Sequence, residues 1–221
     1  VKSMKQHARF TGLLQYSLTC CTSFITPPSN VAQNVRELLN LGGIDVLVES
    51  LKHHHGNAEV ISTIAQALEK CSIDDAVRQR LVDSGAATAL MTALGTIPDA
   101  SERNKTGSSV LQLVTSIAQG ENNLARMTTD GLPAAIVSFL QSIETQEGTD
   151  ASSLQLQSVD ALLRLCKGAD ACSQIATASA VKVLLAQCDA HCSEELIQRA
   201  MEVLAGVAAT QKGADLIKEA G

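Results

Sequence analysis

Residues 122–140 have the sequence NNLARMTTDGLPAAIVSFL, the pattern of two short helices joined by a sharp corner at Gly131. Apolar residues are spaced so that each helix carries them on one face, both before and after the glycine. Glycine suits such a corner because the left-handed conformation that ends many helices costs glycine less than a residue with a Cβ atom. The stretch therefore predicts a helical hairpin.

Variants of this hairpin recur along the chain. Equivalent corners are found at Gly42, Gly85, Gly131, Ser179 and Gly221, with gaps of 43, 46, 48 and 42 residues. Four residues before each corner is an apolar residue: Leu38, Leu81, Met127, Ile175 and Ile217. A period of roughly 40–47 residues is typical of helical solenoids. Because Ser179 replaces glycine, we expect the fourth corner to have a different geometry.

The repeating unit resembles the armadillo repeat, which has a short first helix ending in a polar residue and glycine, a second helix of the form G-x-x-x-x-L-V-x-x-L, and a longer third helix. The segments QRLVDSGAATALMTAL (79–94) and ARMTTDGLPAAIVSFL (125–140) match this pattern, and the match covers essentially all 221 residues. HEAT repeats are the nearest alternative, but their two-helix units usually lack the glycine corner. The resemblance implies an all-α, right-handed α-α superhelix, an armadillo solenoid.

We expect a single domain over residues 1–221 with about four complete three-helix repeats. Their expected bounds are about 29–71, 74–119, 121–167 and 169–210, with a partial repeat over 1–28 and the start of another over 211–221. Val1 falls inside a predicted helix and Gly221 at a predicted corner, so we expect the chain to be a fragment of a longer armadillo-repeat protein.

Two connections between second and third helices are predicted to be long. They are PDASERNK (98–105) and IETQEGTDASS (143–153). Insertions at the same place in successive repeats emerge on the same edge of a solenoid. That edge is a candidate contact surface, and mobile solvated loops are the alternative.

The composition indicates how the core is built. Apolar residues make up 45% of the chain and aromatic residues 2%, with no tryptophan, so Leu, Val, Ile and Ala must fill the interior. Such a composition favours helices over strands. The third helices are expected to line the concave side and to bury the following residues: Val60, Ile61, Ile64, Leu68, Val110, Leu111, Val114, Ile117, Leu162, Leu165, Cys166, Leu196, Met201, Leu204 and Val207.

Several classes of function are not predicted. The formal net charge is -6 and no basic stripe is present, whereas nucleic-acid binding requires clustered Lys and Arg. No apolar run approaches the roughly 18 residues that span a bilayer, so we expect no direct membrane insertion. Neither the phosphate-binding pattern G-x-x-x-x-G-K-[ST] nor the nucleophile elbow G-x-S-x-G is present, so we expect no enzyme activity, cofactor or small-molecule substrate.

The cysteines and histidines do not predict a metal site. Seven cysteines are an odd number, and Cys71, Cys166, Cys172 and Cys188 fall at or beside apolar helical positions. This favours free thiols in a reducing, intracellular and cytoplasmic setting, with cytoskeletal association left open. His53, His54 and His55 are expected on a solvated loop. Cys188, His191 and Cys192 form C-x-x-H-C but lack a fourth zinc ligand, apart from Cys172 at an ordinary apolar position.

The resemblance also implies where a partner binds. Armadillo proteins commonly bind extended peptides or partner helices in a groove formed by successive third helices. The nuclear-import adaptors of the family use Trp and Asn four residues apart; mapping that pattern here gives the pairs Thr63/Ala67, Gln112/Ser116, Asp160/Arg164 and Glu202/Gly206. None is Trp or Asn, so nuclear-signal recognition is not expected.

The candidate groove residues are Thr63, Gln112, Ser116, Asp160, Arg164 and Glu202. The charged members either bind a charged partner or pair with each other on the helix surfaces. We expect a non-enzymatic protein-interaction scaffold or adaptor. The alternatives are a regulatory or substrate-docking arm of a larger protein of the ubiquitin-ligase or chaperone type, and a structural element of a cytoskeletal or ciliary assembly.

Overall fold

A computed structural model describes residues 2, 11–25, 30–54, 56–143, 151–167, 170–188 and 192–220. Within these ranges the chain forms fourteen α-helices and no strand, which confirms the all-α prediction. The chain divides into two compact units, Val1–Ile117 and Ala118–Gly221. The single domain expected over 1–221, with its repeat bounds, stays a prediction.

The first unit contains helices α1 to α7. Their bounds are α1 Thr11–Phe24, α2 Val31–Asn40, α3 Gly43–Leu51, α4 Ala58–Cys71, α5 Asp75–Asp83, α6 Ala86–Gly95 and α7 Ala100–Ile117. The long helix α4 packs against both α1 and α7, while the short helix α3 packs against α6. Long helices therefore stack on long helices and short helices on short ones, as a repeat of three helices requires.

The second unit contains helices α8 to α14. Their bounds are α8 Glu121–Thr129, α9 Leu132–Ser142, α10 Ala151–Leu165, α11 Ala171–Ile175, α12 Ala178–Ala186, α13 Glu194–Ala208 and α14 Gln211–Ala220. The long helices α10 and α13 pack against each other, and the short helices α9 and α12 do the same. The stacking order of the first unit is thus repeated. We call α4, α7, α10 and α13 third helices.

Three glycines form the corners that the sequence predicts. Gly42, Gly85 and Gly131 have φ angles of 72°, 69° and 81°, and each precedes the first residue of a second helix. This left-handed conformation is strained for residues with a Cβ atom. The backbone N–H of Gly131 donates to the carbonyl of Thr128 at 3.0 Å, which closes the corner.

The fourth corner differs, as expected from Ser179. Thr177 precedes α12 with an extended backbone, and its hydroxyl accepts a hydrogen bond from the N–H of Ala180 at 3.2 Å. A threonine hydroxyl at this position satisfies one of the free N–H groups at the start of a helix. The preceding helix α11 has only five residues. A side-chain cap therefore replaces the left-handed glycine, and Ser179 lies inside α12.

The long connection predicted over 98–105 is wrong. Helix α7 begins at Ala100, so only residues 96–99 join it to α6. The Asp99 carboxylate accepts a hydrogen bond from the N–H of Glu102 at 2.8 Å, and the Arg103 side chain donates to the carbonyl of Ile97 at 3.0 Å. These contacts start the helix early, and the extra residues lengthen α7 to 18 residues. Most of the other predicted connection, 144–150, lies outside the described residues.

The predicted core is buried with two exceptions. Cys166 is half-buried, and Met201 is exposed over 56% of its surface. The equivalent residues Ala65 and Val159 are each 0% exposed, because α4 and α10 pack against the following third helices, α7 and α13. The described residues include no third helix after α13, so nothing there covers Met201.

Candidate functional site

The third helices share one register. The last buried residue in each helix is Cys71, Ile117, Leu165 or Val207, and each lies 14 residues before the next corner of the repeat. The residue five positions before this last buried residue is polar in all four helices, and we call its place position A. The residues at position A are Gln66, Gln112, Asp160 and Glu202. Four residues after position A is position B: Lys70, Ser116, Arg164 and Gly206. Both positions face solvent, at least in part.

This register differs from the sequence mapping in the first unit. Ala67 was assigned to the groove but is only 1% exposed, so that assignment is wrong. Thr63 is half-buried and its hydroxyl donates to the carbonyl of Glu59 at 2.7 Å. Gln66 and Lys70 occupy the positions of Gln112 and Ser116 instead. Thr63 lies about one turn earlier, and its role stays a prediction.

A neutral polar cluster joins α4 and α7 in the first unit. The amide nitrogen of Gln66 donates to the Ser62 hydroxyl at 3.2 Å and to the Ser109 hydroxyl at 3.4 Å. At the ends of the same two helices, the hydroxyls of Ser72 and Ser116 are 3.1 Å apart. Ser116 is therefore already engaged. Gln112 is exposed, and its amide makes no hydrogen bond to the described residues.

A charged cluster joins α10 and α13 in the second unit. Arg199 Nε lies 3.3 Å from Asp160 Oδ1, and Arg199 Nη1 lies 3.9 Å from Glu202 Oε2. Asp160 and Glu202 are thus bridged by Arg199, a residue that the sequence analysis did not single out. Arg164 is exposed and makes no ion pair with a described residue. Asp160 and Glu202 thus form surface ion pairs, but with Arg199 rather than with Arg164; the role of the predicted groove residues stays a prediction.

The Asp160–Arg199 pair is expected to contribute little to stability. Its side chains are 38% and 39% exposed, so water screens their attraction. In a double-mutant cycle with Asp160→Ala and Arg199→Ala, we expect a coupling energy of about 0–1 kcal/mol from denaturant melts. A coupling well above that range would mean that the pair holds α10 and α13 together rather than being available to a partner.

Solved structures of two designed proteins are similar to this chain over nearly its full length. A designed armadillo repeat protein in complex with the peptide (KR)4 shares 21% sequence identity, covering 99% of this chain and 86% of that chain, with a TM-score of 0.66. Computationally designed armadillo repeat proteins for modular peptide recognition share 20% identity, covering 100% of this chain and 87% of that chain, with a TM-score of 0.69. The chain has the armadillo-repeat fold. No family model and no curated protein matches the sequence.

The histidine segment of this armadillo chain differs from the expectation of a solvated loop. His53 is exposed, but His54 is buried with 5% exposed surface, and His55 lies outside the described residues. The chain turns back at this point, because the N–H of Asn57 donates to the carbonyl of His54 at 3.2 Å. The prediction of a solvated position is therefore wrong for His54.

The cysteines of the described residues form no disulfide, and all except Cys20 are buried or half-buried. Cys188 and Cys192 donate their S–H groups to the carbonyls of Leu184 and Ala186, at 3.4 Å and 3.9 Å. His191, the third member of the C-x-x-H-C motif, is not among the described residues. In the part of the chain that is described, no three His, Cys, Asp or Glu residues are grouped as metal ligands.

Burial disfavours the reactive thiolate form of Cys71. The Cys71 side chain is 1% exposed, and its burial, with a smaller effect of the nearby Cys21, raises the pKa of the thiol to about 12. A thiol rather than a thiolate is therefore present at neutral pH, and the thiol is the less nucleophilic form.

Among the described helices, none combines the length and apolar character needed to cross a membrane.

Proposed function

We propose that this chain is a non-enzymatic protein-interaction scaffold that binds an extended peptide or a partner helix on its third helices. Each unit would contribute its own surface: α4 and α7 in the first, α10 and α13 in the second. The observation that carries the proposal is the polar side chain at position A in each of α4, α7, α10 and α13. It faces solvent, at least in part, although its neighbours in the sequence, apart from Met201, are buried. Of the two similar designed proteins, one was solved in complex with the peptide (KR)4 and the other is described as being for modular peptide recognition, which supports a peptide as the class of partner.

The first unit has the chemistry to hold a peptide backbone. A Gln amide offers both a donor and an acceptor, which match the C=O and N–H groups of an extended chain. Neighbouring helices pack about 8–10 Å apart, and two residues of an extended chain span about 6.6–6.8 Å. A peptide lying across α4 and α7 could therefore meet a position A side chain about every second or third residue. Gln112 is exposed and available for this contact.

The second unit has the chemistry to select charge. Arg164 is exposed and not neutralised by a described acid, whereas Asp160 is paired with Arg199. A guanidinium pairs with a carboxylate through two parallel hydrogen bonds. We therefore propose that Arg164 contacts an acidic side chain of the partner, while Asp160 and Glu202 fix the position of Arg199 on α13.

Reversing the charge of Arg164 should weaken binding and leave folding intact. We expect Arg164→Glu to raise the Kd of an acidic peptide at least about tenfold, which corresponds to about 1.4 kcal/mol. The melting temperature should hardly change because the side chain is exposed. Binding is measured by fluorescence anisotropy with peptides selected from an array of acidic, basic and neutral sequences.

Lys182→Glu is the matched control for this experiment. Lys182 is exposed on the second helix α12 of the same unit, so its reversal changes net charge equally without altering a third helix. If both variants lose affinity to the same degree, net charge rather than position B determines binding. If no peptide of any charge binds the wild-type chain, the proposal of a peptide-binding scaffold is wrong.

The remaining parts of the proposal concern the setting of the protein. The cysteines of the described residues form no disulfide, which supports a reducing intracellular compartment. The acidic net charge of -6 supports a protein partner rather than nucleic acid. We propose no catalytic function, because the side chains at positions A and B of the described third helices lie along helix surfaces.

A further inference from the structure

We propose that Cys166 and Cys172 form an oxidisable dithiol, a site where a disulfide oxidant such as oxidised glutathione introduces an intramolecular disulfide. The proposal does not depend on the peptide-binding function. Cys166 directly follows the last residue of α10, and Cys172 is the second residue of α11. Five residues separate them in the sequence. A disulfide would tie the end of α10 to the start of α11.

The structure holds the two thiols together. The Cys172 sulfur donates to the backbone carbonyl of Cys166 at 3.8 Å, so the Cys172 thiol lies against its partner residue. Helix α13 restricts Cys172 on another side, since a Cβ atom added to Gly206 would lie 3.0 Å from the Cys172 sulfur. The thiols are thus positioned for reaction with each other before any oxidant arrives.

The two members of the pair differ in access. Cys166 is half-buried, whereas Cys172 is 8% exposed. Burial, reinforced by the neighbouring Cys172, raises the pKa of the Cys166 thiol. Cys166 is therefore protonated at neutral pH, and because the thiolate is the attacking form, the pair resists modification in a reducing compartment. It reacts when a disulfide oxidant accumulates, and faster as the pH rises.

The chemical step is thiol–disulfide exchange in two stages. One cysteine loses its proton, and its thiolate attacks oxidised glutathione; a protein–glutathione disulfide forms and one glutathione thiolate leaves. The second cysteine then loses its proton and attacks the protein sulfur of that mixed disulfide, expelling the second glutathione thiolate. The two protons go to the two glutathione thiolates. The protein is oxidised by two electrons, and oxidised glutathione is reduced to two molecules of glutathione.

The other cysteines provide an internal comparison. Cys188 and Cys192 are also close in sequence, but their S–H groups donate to two different carbonyls, those of Leu184 and Ala186. Proximity in the sequence is therefore common to both pairs. The difference is the carbonyl that is contacted: the Cys172 thiol donates to its own partner residue, Cys166, whereas the Cys192 thiol donates to Ala186.

Peptide mapping tests the proposal directly. The folded 221-residue chain is equilibrated in buffers of increasing oxidised-to-reduced glutathione ratio, alkylated, and digested with trypsin without reduction. Trypsin cuts after Arg164, Lys167 and Lys182, so the expected disulfide joins peptides 165–167 and 168–182. A disulfide between Cys188 and Cys192 would instead appear within peptide 183–199, as the loss of two hydrogen atoms.

We expect the joined peptides to be about ten times as abundant as any other cysteine pairing, because the fold holds the Cys172 sulfur against residue Cys166. Cys172→Ser should abolish the joined species and leave Cys166 either alkylated or bound to one glutathione, while Cys188→Ser should leave it unchanged. Circular dichroism confirms that the variants fold. The proposal is overturned if folded wild-type protein ends with Cys166 and Cys172 separately modified, or if the same pairing forms equally in guanidinium-unfolded chain.

Discussion

Leu162→Ala is expected to lower the free energy of unfolding by roughly 2–5 kcal/mol, because it removes buried atoms and leaves a cavity. Leu162 is 0% exposed and lies on α10, which packs against both α9 and α13. The loss should appear in guanidinium melts followed by circular dichroism. Because the Leu162 side chain is fully buried where α10 packs on these helices, the surroundings can close the space only in part.

Leu163→Ala is the matched control for Leu162→Ala. Leu163 is the next residue on the same helix but is only half-buried, so the same atoms are removed with a smaller loss of packing. We expect its cost to be well below that of Leu162→Ala. A loss of less than about 0.5 kcal/mol for Leu162→Ala, which is the range of surface substitutions, would remove Leu162 from the core.

Gly213→Ala is expected to destabilise the second unit by about 1–3 kcal/mol, through overpacking. Gly213 is a buried residue of α14, and a Cβ atom there would overlap the carbonyl oxygen of Val207 and lie 2.7 Å from its Cγ1 atom. Backbone must move to relieve the overlap, because a carbonyl cannot change rotamer. The N–H of Gly213 also donates to the Thr210 hydroxyl at 3.1 Å, a contact that this movement would disturb.

Gly95→Ala separates overlap from helix propensity. Gly95 also lies in a helix, as the last residue of α6, but a Cβ atom there would meet nothing within 4 Å. Alanine is favoured over glycine in helices by about 0.8–1.0 kcal/mol, so we expect Gly95→Ala to be neutral or stabilising. If Gly213→Ala raised the melting temperature as well, the close approach of α13 and α14 at Gly213 would be contradicted.

The sequence predicted the helices well where a local signal set their ends. Gly42, Gly85 and Gly131 have positive φ angles, and the second helices start directly after them. The unusual corner near Ser179 was also foreseen, but not the residue that forms it. Threonine is common in any sequence, and almost every threonine has a backbone N–H three residues later. The structure was therefore needed to show that Thr177 caps α12.

The start of α7 was predicted less well, for a physical reason. Residues 98–105 are polar, and polar residues in a region of longer repeat spacing suggest a loop. An Asp followed by Ala, Ser and Glu is also a suitable helix start, because Asp99 can accept the N–H of Glu102. What distinguishes a loop from a helix here is whether the following residues are buried. Thr106 and Gly107 of α7 are buried in the structure. A single sequence does not show that burial.

At the candidate site, the sequence mapping placed Thr63 and Ala67 where the structure has Gln66 and Lys70. Counting forward from the preceding corner fails because the repeats differ in length before the third helix. Counting back 19 residues from the following corner gives Gln66, Gln112, Asp160 and Glu202 without error. That signal was present in the sequence. The role of Arg199 was not, because it depends on the distance between side chains of two helices, 3.3 Å from Asp160.

The length of α7 shows how this architecture absorbs insertions. Helix α7 has 18 residues where α4 has 14, a difference of four. Since a helical turn contains about 3.6 residues, four added residues rotate the rest of the helix by one full circle and only a little more. The core-facing stripe thus stays in phase on both sides of the added turn. Chain length in this protein can therefore grow in whole turns, whereas an addition of two residues would point the stripe at solvent.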